Sequence, residues 1–409
     1  MESIIIVGGG QAGGACAMEL RKKGYEGKVT IITDEGFIPY KRPPLSKTYL
    51  SGEAKLESLY VMQPAKLEAA NIDCLTNTRV ESIDREAKTV ALSSGETLAY
   101  DKLVLATGSR ARDLPVAGAD RPNVFPLRSI VDVDAIRERC EAGKKIVIIG
   151  GGFIGLEVAA VAQKMDMQVT VLEGLDRVLA RVTAPQTSDF FEKVHRDAGV
   201  DLRTGATVTA LEGPEKNNGE VSHVVLGNGE RVEADLVVIG IGIVPNIELA
   251  EAAGLEVDNG IVVNEHTKTS DENIYAAGDC CNHPSPFFGR RLRLESVQNA
   301  MDQARVVAVN LLGEKTVYDA LPWFWSDQYD LKLQMVGLSQ DYDEAVVRGN
   351  PEERNFSVFY LQEGRLIAVD TVSRPKDFML AKKLVAERVQ PNAAQLADDS
   401  VELKSLLPA

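Results

Sequence analysis

The sequence predicts an α/β protein built from two copies of one parallel-sheet unit, followed by a C-terminal α+β segment. Three observations carry this. Near the start, an apolar run leads into a glycine-rich turn and then into small residues at helical spacing. The same succession returns at Lys145. From about Pro322 the pattern changes to short runs that read as antiparallel strands. A chain of 409 residues with 44% hydrophobic content exceeds what one core needs, so two or three domains are expected.

The first copy runs Ile4-Ile5-Ile6-Val7 into Gly8-Gly9-Gly10-Gln11-Ala12-Gly13. In this G-x-G-x-x-G spacing Gly8 permits a tight turn, Gly10 lets backbone approach a pyrophosphate, and Gly13 allows close helix–strand packing. The helix that follows offers free N–H groups and a positive dipole end to phosphate. A second apolar run, Val29-Thr30-Ile31-Ile32, ends at Asp34-Glu35, where an acid binds ribose hydroxyls. The second copy enters Gly150-Gly151-Gly152-Phe153-Ile154-Gly155, and its next strand ends at Glu173. Two such Rossmann fingerprints imply two bound dinucleotides. A carboxylate at Glu173 accepts from a ribose 2′-OH and repels a 2′-phosphate, so NADH is expected over NADPH.

Composition sets bounds. A net charge of -15 argues against non-specific binding to nucleic acid or to an anionic membrane. No stretch approaches the roughly 18 apolar residues of a transmembrane helix. The opening run Ile4–Val7 lacks a preceding basic region and reads as a buried strand, not a signal peptide. Cys16, Cys74, Cys140, Cys280 and Cys281 are odd in number, scattered and without a C-x-x-C, which fits a reducing cytoplasm.

Two further strand ends extend the pattern. One closes on Ala106-Thr107-Gly108-Ser109 and the other on Ala277-Gly278-Asp279. Both resemble FAD signatures of the glutathione-reductase-like flavoproteins, over nearly the whole chain. Pro43-Pro44-Leu45-Ser46-Lys47, the segment Gly240 to Asn246 including Gly242, and Trp323 to Tyr329 narrow the resemblance to the oxygenase-coupled, NADH-dependent ferredoxin reductases. What is missing also separates branches. No cysteine lies between Cys16 and Cys74, so a dithiol relay on the helix after the first acid is excluded and sulfenic-acid peroxide chemistry is disfavoured.

The resemblance implies a division of labour. FAD is expected on a discontinuous domain, residues 1–112 and 246–321, NADH on residues 113–245, and an α+β domain on residues 322–409. By the same resemblance Gly8, Gly10, Ala12, Gly13, Asp34, Val80, Ala106, Thr107, Gly108, Arg128, Asp279, Val297 and Trp325 line the FAD site. Asp279 is expected on the ribityl hydroxyls, Val297 on the flavin through its backbone, and Arg128 against adenine or phosphate. Gly150, Gly152, Phe153, Ile154, Gly155, Glu173 and Gly242 are expected at NADH. Lys47 is placed against the flavin ring, paired with Glu157, where a cation stabilises negative charge developing as hydride arrives. Phe153 reads either as a gate over the stacking site or as a core aromatic. Trp323 and Trp325 read either as core or as a route to the acceptor. Arg290, Arg291 and Arg293 read either as a solvated face or as a docking patch for an acidic partner.

The expected activity is transfer of hydride from NADH to FAD, then of single electrons to a [2Fe–2S] ferredoxin that serves a cytochrome P450 or a Rieske oxygenase. The rivals are an NADH oxidase, a rubredoxin- or nitrite-type reductase, and a redox sensor resembling apoptosis-inducing factor.

Overall fold

The computed structural model describes residues 2–214 and 219–408. The chain divides into two compact units, each assembled from separated stretches. The first comprises residues up to Arg42, Lys55–Arg110 and Ile243–Pro322. The second comprises Pro43–Ala54, Ala111–Gly242 and the residues from Trp323 onward.

A five-stranded parallel sheet centres the first unit, in the order Ile274–Ala276, Lys102–Leu105, Ser3–Val7, Lys28–Ile32, Ile72–Leu75. Its central strands Ser3–Val7 and Lys102–Leu105 are apolar without alternation because both faces are covered. Ile4, Ile6, Val29 and Ile31 pack against Cys16, Ala17 and Leu20 of the helix Gln11–Lys22 and against Ala304, Val307 and Ala308 of the helix Val297–Leu311. Ile5, Val7, Leu103 and Leu105 pack on the other face, with Val80, Val90 and Leu92 of a small antiparallel sheet.

The second unit repeats the device. Its parallel sheet has the order Asp201–Arg203, Gln168–Leu172, Lys145–Ile149, Leu236–Ile239, Val124–Pro126. The helix Phe153–Lys164 follows the central strand. The C-terminal residues add a five-stranded antiparallel sheet, ordered Trp323–Gln328, Leu331–Gly337, Arg365–Val372, Asn355–Gln362, Glu344–Asn350. A hairpin turns at Glu363-Gly364, where both residues have positive φ, 49° and 73°, as a primed two-residue turn requires. A helix spans Pro375–Ala386.

Two features differ from the sequence-based expectation. Pro43–Ala54 packs with the second unit and interrupts the stretch assigned to the first. The cause is polar: Ser46 and Lys47 bond to Glu157, and Tyr49 donates to Asp134 at 2.8 Å. The C-terminal sheet also groups with the second parallel sheet. Buried bonds fasten it there, from the Ala184 N–H to the Tyr360 hydroxyl at 3.0 Å and from Thr187 to Asp370 at 3.3 Å.

Candidate functional sites and their relatives

The two fingerprints fold alike. The N–H of Gly8 donates to Ile32, and that of Gly150 to Leu172, both at 2.8 Å. A Cβ on Gly13 would stand 2.0 Å from the Gly8 carbonyl oxygen, and one on Gly155 the same distance from that of Gly150. Only hydrogen fits where helix and turn approach so closely. By contrast, nothing lies within 4 Å of a Cβ built on Gly10 or Gly152. These two glycines cap the helices Gln11–Lys22 and Phe153–Lys164, and neither helix has a side-chain cap or an acid in its first turn. Each helix therefore presents unclaimed N–H groups to open space with no opposing charge, which fits a pyrophosphate. Ala12 and Gly13 lie in the first turn of the first helix, and Phe153, Ile154 and Gly155 in that of the second.

The acids differ between the copies. Glu173 follows its strand directly. Its carboxylate accepts from the N–H of Gly151 at 2.6 Å and from that of Leu175 at 2.8 Å. The equivalent place opposite Gly9 is taken by Thr33, which is buried. Asp34, the next residue, is exposed, while Glu35 pairs with Arg42 at 2.6 Å and accepts from Tyr40 at 2.5 Å. Two adjacent carboxylates thus have separate tasks: Glu35 is spent on an internal pair, and Asp34 faces solvent.

The first unit brings its other motifs to the same glycines. A Cβ on Gly8 would strike the Ala106 carbonyl oxygen at 2.0 Å, so Ala106-Thr107-Gly108 runs beside the turn. A Cβ on Gly278 would meet the Ala12 methyl at 3.1 Å, which sets Asp279 by the first helix. Ser109 donates to Asp279 at 2.8 Å, and Gln303 accepts from the Gly278 N–H at 2.8 Å. Asn246 clasps the loop by accepting from Thr107 at 2.7 Å through its carbonyl and donating to Thr107 at 2.9 Å through its amide. Val80 is buried at the start of its strand, and Val297 opens its helix after the N-cap Ser296. Ser109, Asn246 and Gln303 were absent from the expected site. Their roles depend on partners far away in the chain, which local pattern does not reveal.

Arg128, Lys47 and Trp325 lie in the second unit. The backbone N–H of Arg128 donates to Asp132 at 3.0 Å. Gly242 is exposed with φ 105°. Glu157, 2% exposed, accepts from Lys47 and from Ser46, each at 2.5 Å, and from Ser326 at 2.6 Å. A buried carboxylate needs such compensation, and here a cation and two hydroxyls provide it. Phe153 is partly exposed and packs on Phe324 with ring centroids 4.8 Å apart. Trp325 is half-buried, 5.6 Å from Trp323 and 6.2 Å from Phe324, and Lys382 sits over the Trp323 ring.

The arginine cluster is not a uniform patch. Arg291 donates to Asn282 and to the Val263 and Asn282 carbonyls, and Arg293 pairs with Glu295 at 2.7 Å. Arg291 and Arg293 hold local structure.

Comparison with known proteins places this geometry. The pyridine nucleotide-disulphide oxidoreductase family matches residues 2–304, and a reductase C-terminal family matches residues 323–407. The chain belongs to these families. It is an oxidoreductase whose cofactors are FAD and NAD(H). It is 49% identical to putidaredoxin reductase of Pseudomonas putida, covering 100% of this chain and 97% of the relative. It is 44% identical to rhodocoxin reductase of Rhodococcus erythropolis, covering 98% and 93%. The crystal structure of a covalent putidaredoxin reductase–putidaredoxin complex matches with a TM-score of 0.96 and 48% identity, over 99% of this chain and 98% of that one. Despite the family's name, all five cysteines are free, and burial pushes the Cys16 thiol up to about 12. Such thiols do not ionise in the working range. Among the described residues no helix is long and apolar enough to cross a membrane.

Proposed function

We propose that this oxidoreductase is an NADH:ferredoxin reductase that supplies single electrons to a [2Fe–2S] ferredoxin serving a cytochrome P450 or a Rieske oxygenase. The observation that carries this reading is the presence of two complete, uncapped dinucleotide cradles, one in each unit, with all five cysteines free and no C-x-x-C in the sequence. Similarity along the whole chain to putidaredoxin and rhodocoxin reductases supports the acceptor class.

FAD supplies the conversion from a two-electron hydride donor to a one-electron acceptor. The residues of the chain bind and orient. Gly8, Gly10, Ala12 and Gly13 hold its pyrophosphate, Asp34 its ribose and Asp279 its ribityl chain, with Val80, Ala106, Thr107, Gly108, Arg128, Val297 and Trp325 lining the remainder. Gly150, Gly152, Ile154 and Gly155 hold the NADH pyrophosphate, Glu173 accepts from its ribose diol, and Phe153 and Gly242 border the nicotinamide. Lys47, held by Glu157, offers an ammonium N–H to negative charge that builds as hydride is delivered. Free cysteines and acidic composition support a cytoplasmic location.

Stopped-flow mixing of the yellow holoenzyme with NADH, then with [2Fe–2S] ferredoxins, rubredoxin, oxygen or peroxide, tests this. The expected result is rapid bleaching of the flavin and fast ferredoxin reduction, with slow reaction towards oxygen. Reoxidation by oxygen, peroxide or rubredoxin in preference to every ferredoxin overturns the acceptor assignment. Slow bleaching to a long-lived charge-transfer species points instead to a sensor. Lys47→Ala is expected to slow flavin reduction far more than it weakens FAD retention.

A further inference from the structure

Behind Glu157 lies a line of buried polar side chains that the proposed function leaves unused. His195 and Ser326 are 0% exposed and Gln328 is 1% exposed. Ser326 and Gln328 alternate along the strand Trp323–Gln328, so both face the same side. His195 comes from the helix Pro185–Asp197, and Tyr329 from the turn after the strand, where its φ is 56°. The contacts run in series: Tyr329 hydroxyl to His195 Nδ1 at 3.1 Å, His195 Nε2 to Gln328 Oε1 at 2.9 Å, Gln328 Nε2 to Ser326 Oγ at 3.2 Å, and Ser326 Oγ to Glu157 Oε1 at 2.6 Å.

Elementary donor rules give this series one direction. The Oε1 of an amide only accepts, so His195 Nε2 carries a hydrogen. Burial lowers His195 to about 4, so the ring is neutral at working pH and its Nδ1 has a lone pair. Tyr329 must then donate to Nδ1. Gln328 Nε2 only donates, so Ser326 accepts from it and turns its own hydrogen to Glu157. Each hydrogen points towards the carboxylate, and each bond polarises the next.

We infer that Ser326, Gln328 and His195 are positioning residues for Lys47: their one-way chain fixes the Glu157 carboxylate with Oε1 on Ser326 and Oε2 on the ammonium. Lys47 has few other anchors. Its ammonium also donates to the Pro43 carbonyl at 3.3 Å, and the remaining N–H is directed by how the carboxylate is held. Reversing Gln328 would aim the Ser326 hydroxyl at the amide and leave Oε1 without a donor, at a site where an unmet buried acceptor is costly.

This inference rests on hydride transfer from NADH to FAD, and the experiment separates the two. The chain has four histidines, so 15N-histidine labelling isolates His195 in the holoenzyme. The expected spectrum is a neutral Nε2–H ring with Nδ1 accepting, and Tyr329→Phe shifts Nδ1 alone. A Nδ1–H ring, or a mixture of tautomers, reverses the chain and overturns the inference without any appeal to turnover. In stopped flow, Gln328→Leu and Ser326→Ala are expected to lower the limiting rate of flavin reduction about tenfold, with NADH affinity unchanged. Combining either with Glu157→Gln is expected to add almost nothing, because both act through one carboxylate. Additive losses, or variants that retain FAD and reduce at the wild-type rate, overturn the positioning role. Failure of NADH to reduce the wild-type flavin would instead sink the hydride-transfer reading, leaving the tautomer result intact.

Discussion

The Ser109 hydroxyl donates to Asp279 at 2.8 Å, joining two motif ends that are 170 residues apart. Asp279 is only half-buried, and the Ser109 hydroxyl is one of the contacts that orient its carboxylate. If Asp279 binds the ribityl chain, Ser109 pre-orients it. Ser109→Ala is expected to weaken FAD binding by about 1 kcal/mol, roughly fivefold, with the fold intact. Fluorescence of released FAD during dilution measures this. Unchanged retention would show that Ser109 does not orient Asp279 for the cofactor.

Glu173 is held by two backbone N–H groups, from Gly151 and Leu175. A carboxylate fixed this way presents its free lone pairs in one direction, suited to a ribose diol. Glu173→Gln removes the charge and replaces one of the two oxygens that accept from backbone with an amide donor. The NADH over NADPH preference in kcat/KM is expected to fall about tenfold, as repulsion of the 2′-phosphate is lost. An unchanged ratio would mean that selectivity is set elsewhere.

Much of this was legible in the sequence because its determinants are local. The glycine spacings at Gly8–Gly13 and Gly150–Gly155 sit within single turns, and Glu363-Gly364 announces its hairpin through the φ each residue tolerates. The strands Trp323–Gln328 and Leu331–Gly337 were harder to read. Their turn is Tyr329-Asp330, with no glycine, and Tyr329 takes positive φ at a cost that its hydroxyl contact to His195 helps offset. That Pro43–Ala54 packs with the second unit was not legible, because its partners, Glu157 and Asp134, lie far along the chain. Thr33 standing where Glu173 stands in the other copy shows the same limit: the fingerprint marks the turn but not which neighbouring acid faces the ligand.

Asp370 is buried between Tyr360, which donates to it at 2.5 Å, and Thr187. Burial raises its carboxyl from 3.8 to about 7. The folded state therefore holds a proton that the unfolded chain has released between these values, and stability contributed by Asp370 falls as pH rises from about 4 to 7. His195 and His283, lowered by burial from 6.5 to about 4, act oppositely and add stability as pH rises from 4 to 6.5. Asp370→Asn removes the falling contribution alone. The difference in Tm between this variant and the wild type is expected to grow in the variant's favour from pH 4 to pH 7 and then level off. A pH-independent difference would mean that Asp370 does not change protonation over that range.

Arg348 is buried to 4% exposure, and its guanidinium donates to the carbonyls of Leu396, Asp398, Asp399 and Val401 at 2.6–3.3 Å. It faces Asp399 at 3.1 Å and Asp377 at 3.7 Å, and Arg374 joins both acids. One side chain thus satisfies four backbone acceptors of the final segment, which otherwise has only the short helix Ala393–Ala397 and the single turn Leu403–Leu406. Arg348→Met keeps the stem and deletes every donor. Arg374 still pairs with Asp377 and Asp399, so the loss falls on the four carbonyls left without a donor, and an unmet buried acceptor costs about 1–3 kcal/mol. The loss should be local, because the central strands Asn355–Gln362 and Arg365–Val372 pair with each other independently of it. Hydrogen exchange in residues 393–406 is expected to accelerate by about two orders of magnitude, with the amides of those strands still protected. Equal acceleration in strands and tail would show that Arg348 supports the whole sheet rather than fastening the segment that ends the chain.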